Sequence, residues 1–233
     1  MAAASTVLMW LAAAGSLIAS AVSWFSPKCR KNYLPSKMVN SSLFVLTAVF
    51  ASLSAGTDSV YPVLITAGLV FGLIGDFFLE WKNGKLFYLG VLSFSVNHLF
   101  YIYSFIRLFD TDIMKYEKDM LITLAVVIAA GIVNIIFEKI KFEGFAKVML
   151  IYSAVLIASF IFSLFRGVSS IIDDGNTVFG ILIAAAGAFF IASDTFLAAQ
   201  LYGKSHFKHP EAFVLFFYFP AQTLFALSIH FFK

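Results

Sequence analysis

An apolar run of about 17 to 25 residues is the length at which an α-helix crosses the hydrocarbon core of a bilayer, and this chain is built almost wholly from such runs. They cover 6–24, 39–53, 60–79, 86–109, 120–137, 148–165, 177–199 and 213–232. Within lipid every backbone N–H and C=O has to be satisfied inside its own segment, so each run reads as a helix. The expected fold is all-α: a polytopic membrane helix bundle of about eight transmembrane helices, in a single domain over 1–233. The second run is short for a span. It needs another turn to cross, and a seven-span reading would leave it lying in the interface.

Composition removes the other fold classes. Charged residues make up 12% of the chain, where soluble globular proteins carry about 25%, so there is too little charge to coat a water-facing surface. Aromatics reach 18%, which suits a lipid-facing exterior. The net charge of +3 is small and the basic residues sit in short loops without a continuous stripe, which argues against nucleic acid as a partner. Cys29 is the only cysteine, so neither a disulfide within the chain nor a cysteine metal site is expected. The N-terminal MAAAST lacks the positive region of a cleaved signal, and the first run is read as a permanent span.

The connections carry the breakers and the charge: Pro27 and Pro35 with Lys28, Arg30, Lys31 and Lys37; Gly56 and Asp58; then 81–85, 110–119, 138–147, 166–176 and 200–212. None is long enough for a water-soluble catalytic module, so any chemistry belongs inside or at the edge of the bilayer. Of the 16 basic residues, eleven lie in the first, third, fifth and seventh connections. The remaining five are Arg107, Lys115, Lys118, Arg166 and Lys233. Cytoplasmic loops hold the excess of Lys and Arg, so both termini are expected on the non-cytoplasmic side. A bacterial inner membrane and the endoplasmic reticulum both fit.

Ionisable residues within spans are costly and usually face the bundle interior or a wet cavity, which makes them candidates for function. Asp76 ends the third run and Asp194 comes near the end of the seventh, both in the expected cytoplasmic half. Either one alone is as well explained by helix packing or by reaching interfacial water; two at similar depth favour function. They share a small-Asp-x-Phe-Leu pattern, Gly75 to Leu79 and Ser193 to Leu197, at an offset of 118 residues. The echo is compatible with a parallel four-plus-four duplication.

The fourth run carries Asn97, His98 and Tyr101, with Ser95 three residues before His98. A histidine can move protons near neutral pH or ligate a metal, although a lone one is commonly a packing residue. Tyr218 and Gln222 are four apart and so on one face of the eighth run, with Pro220 between them. Tyr152 and Ser153 are the polar pair of the sixth run, where they can equally tie helices together. Glu80 beside Trp81 reads as an interface anchor. His206 and His209 lie in a lysine-rich connection with a solvated or headgroup-contacting role, and His230 reads as interfacial. No G-x-S-x-G, H-E-x-x-H or phosphate-binding glycine loop occurs.

The stretches Phe71 to Trp81, Phe94 to Tyr101, Gly187 to Asp194 and Tyr218 to Gln222 resemble, in order and spacing, the motifs of the YhhN-like lysoplasmalogenase family. The likeness covers roughly 60–230; the first two runs resemble the family in hydropathy only. It implies an eight-span fold and hydrolysis of the vinyl ether bond of a lysoplasmalogen, giving a fatty aldehyde and glycerophosphocholine or glycerophosphoethanolamine. On this resemblance Asp76, Asp194 and His98 are the catalytic candidates. Tyr218 and Gln222 match the family's Tyr-Tyr-x-Ala-Gln segment, with Phe219 in place of the second tyrosine and Pro220 after it, so no role is transferred to that second hydroxyl. Asn97, Tyr101, Tyr152 and Ser193 join Tyr218 and Gln222 as candidates for binding substrate. The expected partner is a lysophospholipid within the bilayer, and no cofactor or metal is implied.

An enol ether hydrolyses by protonation at carbon, and water then attacks the oxocarbenium ion. Two carboxyl groups in different surroundings can divide these tasks, as in glycoside hydrolysis. Lys82, Lys85, Lys204 and Lys208 can attract the lipid phosphate, and they equally meet the orientation rule. Two alternatives stand beside this reading. One makes Asp76, His98 and Asp194 ligands of a divalent metal in an ester or amide hydrolase. The other is a proton-coupled transporter.

Overall fold

The computed structural model describes residues 2–25, 33–56, 59–80, 84–108, 144–202 and 210–232. Among these residues there are seven helices: α1 (Ala2–Phe25), α2 (Tyr33–Ala55), α3 (Val60–Glu80), α4 (Gly84–Leu108), α5 (Gly144–Ile172), α6 (Thr177–Tyr202) and α7 (Pro210–Phe231). All seven are long and apolar enough to cross a membrane, and the protein is a multi-pass integral membrane protein. The expected span at 120–137 lies outside the described residues, as do Cys29, Lys82, Lys204, His206, Lys208 and His209.

Two boundaries differ from the sequence expectation by six residues or more, and both differences matter. The second span is a full helix of 23 residues that starts at Tyr33. Pro35 falls in its first turn, where a missing N–H breaks no helical hydrogen bond, so proline does not mark a loop there. Lys37 is accordingly a buried helix residue and not a loop charge. Helix α5 continues past 165 to Ile172 and takes Arg166 with it, buried at 7% exposure.

Consecutive described helices pack as neighbours, and α7 also returns against α1, α2 and α3. Helix α7 is therefore the hub: its span is 67% buried, against 28% for the spans of α1 and α6. The outward faces carry apolar side chains such as Leu11, Ile18, Val63 and Ile151. Lipid tails are as apolar as these side chains, so helix association rests on close packing and polar ties.

Small residues provide the close packing. Gly68, Gly72 and Gly75 form one stripe of α3, and a Cβ on each would come within 2.6 Å of Tyr101, 2.7 Å of Gln222 and 2.7 Å of Phe94. The stripe lets α3 approach both α4 and α7. On the other side of the bundle Gly167 and Gly180 bring the backbones of α5 and α6 together, and Gly187 makes room for Ser163. Buried polar ties add to this: Ser16 meets Asn40 at 2.7 Å and accepts from Thr223 at 3.1 Å, joining α1, α2 and α7.

A Gly72→Ala substitution places a methyl group against the Gln222 amide. Overpacking of this kind costs about 1–3 kcal/mol, so the variant is expected to melt several degrees below the native protein in detergent. It should also lose activity out of proportion to its stability, because the displaced side chain is one of the site residues below.

Candidate active site

The site grows from two helix faces with matching spacing. Asp76 and Glu80 are four apart on α3, and Lys37 and Ser41 are four apart on α2, so each pair occupies one face of its helix. Where α2 meets α3, the Lys37 ammonium lies 3.2 Å from Asp76 Oδ1 and 3.3 Å from Glu80 Oε1. The Ser41 hydroxyl donates to Asp76 Oδ2 at 2.6 Å. Asp76 is 1% exposed. Glu80, expected to be a simple interface anchor, is the outer member of this buried cluster.

Helix α7 completes the carboxylate's surroundings. Tyr218 donates its hydroxyl to Asp76 Oδ2 at 2.7 Å, and Gln222 Nε2, one turn deeper, donates to the Tyr218 oxygen at 3.2 Å. Tyr101 of α4 in turn donates to Gln222 Oε1 at 2.7 Å. The relay is directional: from Tyr101 through Gln222 and Tyr218, each donor points toward Asp76. One cation and two hydroxyl donors thus act directly on the Asp76 carboxylate. Phe44, Phe94 and Phe190 stand edge-on to the Tyr218 ring at 5.5–6.3 Å and wall the relay with apolar surface.

Asp194 has different company. Its described hydrogen-bond partner is the hydroxyl of Tyr152, which donates to Oδ2 from α5. Asp194 is half-buried, and no cation is paired with it among the described residues. Its neighbour Ser193 gives its hydroxyl proton to the carbonyl of Val214 at 3.0 Å, tying α6 to α7. Ser153 bonds the carbonyl of Met149 in its own helix, and Ser95 that of Val91, so Ser95 does not pair with His98.

His98 stands between the two carboxylate systems. Its ring centroid is 6.1 Å from that of Tyr101, which ends the Asp76 relay, and 6.1 Å from that of Tyr152, which holds Asp194. Phe190 packs against it at 4.4 Å. His98 is 1% exposed and Asn97 0%, yet neither ring nitrogen of His98 and neither amide atom of Asn97 has a hydrogen-bond partner among the described residues. Most buried polar atoms in native proteins are paired. These four atoms, on adjacent residues, are buried polar groups for which the described residues supply no partner.

At about 1.5 Å of rise per residue, Asp76 lies roughly 6 Å from its helix end, and Tyr218, Asp194 and Tyr152 roughly 12 Å from theirs. On the same scale Gln222 is about 18 Å deep and His98 about 21 Å. These are all ends of the helices at the same side of the bundle, the side flanked by 26–32, 81–83 and 203–209. Asp76 and Asp194 thus sit in the same half of the bundle, with His98 and Tyr101 deeper. The two carboxylates share no hydrogen-bond partner among the described residues, and His98 borders both sets.

The YhhN family matches residues 33–229. The chain belongs to the YhhN family. The match takes in Lys37 and Ser41 as well as the four sequence stretches, so the YhhN region begins at α2 and not at α3, where the sequence likeness was expected to start. No curated protein and no solved structure matches the chain. Within the YhhN region, Lys37, Ser41 and Glu80 are the site residues that the sequence reading passed over. The two i,i+4 pairs, one acidic and one a lysine with a serine, were the available signal.

Proposed function

We propose that this YhhN protein hydrolyses the vinyl ether bond of lysoplasmalogens within the membrane, releasing a fatty aldehyde and a glycerophospho-base. The observation that carries the reading is the contrast between two intramembrane carboxyl groups: Asp76 holds a cation and two hydroxyl donors, and Asp194 holds one hydroxyl. Vinyl ether hydrolysis needs a proton donor and an anion, and these surroundings suit opposite roles.

In the proposed sequence Asp194 gives a proton to the alkenyl carbon remote from the ether oxygen. The C=C electron pair takes up that proton, and the adjacent carbon and oxygen share the resulting positive charge as an oxocarbenium ion. Asp76, paired with Lys37, stabilises the cation and accepts a proton as water adds to it. The hemiacetal then collapses, breaking the carbon–oxygen bond: Asp76 passes its proton to the departing glycerol oxygen, Asp194 takes the hydroxyl proton as the aldehyde forms, and both carboxyl groups return to their starting states. A protonated carboxyl can accept from Tyr152 on one oxygen and carry its proton on the other, so the Tyr152 contact orients Asp194 for donation. Asn97 and His98, with their four unpaired polar atoms, hold the attacking water or the glycerol hydroxyl. Tyr101, Tyr218 and Gln222 act through Asp76 as positioning residues.

A metal-dependent hydrolase is the weaker reading. Among the described residues no three His, Cys, Asp or Glu side chains come together as a ligand set.

The test is turnover by purified protein in detergent, where transport between compartments is impossible. A 1-alkenyl lysolipid should yield aldehyde, with the rate unchanged by chelator, while its saturated-ether and 1-acyl counterparts should be untouched. Cleavage of the acyl substrate, or no turnover on the alkenyl one, would overturn the proposal.

A further inference from the structure

The end of the bundle opposite the candidate active site holds a cavity of ≈ 230 Å³ lined by Arg166, Asp174, Gly175, Asn176, Phe179 and Phe232. It lies where α5 turns into α6. Gly175 adopts a left-handed φ of 67° and Asn176 caps α6 by accepting from the Phe179 N–H at 3.3 Å. The Asn176 amide also donates to the Phe231 carbonyl at 2.9 Å, which fixes the turn against the end of α7. Neutral hydrogen bonds of Asn176 thus hold this part of the cavity wall, in addition to the charges within it.

Those charges are arranged along the cavity's depth. The Arg166 side chain is 9% exposed and the Asp174 side chain 44% exposed, with Nη2 and Oδ2 2.7 Å apart, so the cation is at the floor and the anion at the mouth. Ser169 accepts from Nη1 at 3.2 Å and fixes the plane of the guanidinium. Phe179, Phe232 and Tyr61 form a ring cluster with centroids 4.8–5.6 Å apart beside it. Desolvating an arginine is costly, and a pair meant only to close a turn gains little from having its cation under a cavity. An anion seated on Arg166, with a linked cation at Asp174, matches the order of charges; the aromatic faces favour a cation at the mouth as well.

We infer that this cavity binds a phosphate linked to an amine, as in the headgroup of a zwitterionic phospholipid, with phosphate oxygens on Arg166 and the ammonium at Asp174 and the phenyl rings. The binding is independent of the chemistry proposed for Asp76 and Asp194. The same headgroup chemistry occurs in membrane phosphatidylethanolamine and in soluble glycerophosphoethanolamine.

The experiment is native mass spectrometry of the purified full-length protein with phosphatidylethanolamine and phosphatidylglycerol of matched chains. The native protein should retain the zwitterionic lipid over the anionic one by about tenfold. Asp174→Asn alters a half-exposed side chain, so the fold should survive, and the preference should fall to parity or reverse. Arg166→Lys keeps the charge but not the planar fork, and should weaken retention of both lipids. Displacement of the bound lipid by millimolar glycerophosphoethanolamine would show that the headgroup alone suffices; failure to displace it would show a lipid site. A native protein with no preference, or an unchanged preference in Asp174→Asn, would overturn the inference.

Discussion

Asp76→Asn is expected to lose aldehyde release by about 10²–10⁴-fold and to lose stability at the same time. The amide cannot neutralise Lys37, whose side chain is 9% exposed. Leaving one member of a buried ion pair without its partner costs about 3–5 kcal/mol. Glu80 at 3.3 Å offsets part of that cost, so the measured loss should fall at or below the lower end of the range. Lys37→Met should be destabilised to a similar degree, because it strands Asp76. The double variant, Lys37→Met with Asp76→Asn, removes both charges and should recover much of the stability, while Glu80, nearer the helix end, keeps access to the interface. Its activity should stay at the level of Asp76→Asn. Thermal melting in detergent together with turnover on alkenyl lysolipid reads both quantities. Recovered activity in the double variant would mean that the carboxylate serves the fold alone.

Asp194→Asn should separate rate from stability in the opposite manner. The asparagine carbonyl can still accept from the Tyr152 hydroxyl, and no described cation is left unpaired, so the melting temperature should move little. The acid proton is gone, however, and turnover should fall by about 10²–10⁴-fold. Tyr152→Phe removes only the orienting contact and should cost about tenfold. Two aspartates with the same role would give two similar variants. The division of labour calls for one variant weak in both fold and rate and another weak in rate alone, and full activity in Asp194→Asn would end it.

Much of this was legible before any coordinates, for physical reasons that also explain what was not. Membrane-length runs can only be helices, so α1, α3, α4, α6 and α7 stand close to where hydropathy puts them. Asp76, Asp194, Tyr218 and Gln222 stood out because polar groups in lipid are rare enough to notice. Lys37 did not, because a lysine two residues after a proline, beside other basic residues, looks like a loop; only the helical first turn of α2 reveals it as the counter-ion of Asp76. Arg166 was hidden in the same way at the far end of α5. Contacts between helices distant in sequence, such as Tyr152 with Asp194 and Tyr101 with Gln222, depend on which faces meet, and a single sequence does not contain that. Asn97 and His98 were visible as polar residues, but their unpaired atoms are a property of the packed bundle.

If hydrolysis begins with protonation of carbon, the reaction in D₂O must carry solvent deuterium into the aldehyde. Purified protein is given an alkenyl lysolipid in D₂O, and the aldehyde is trapped by reduction as it forms, before its α-hydrogens exchange. Protonation at carbon places one solvent-derived deuterium on the carbon next to the carbonyl in every product molecule, and the Asp194→Asn protein should form that product far more slowly. Aldehyde released without this deuterium would contradict the mechanism.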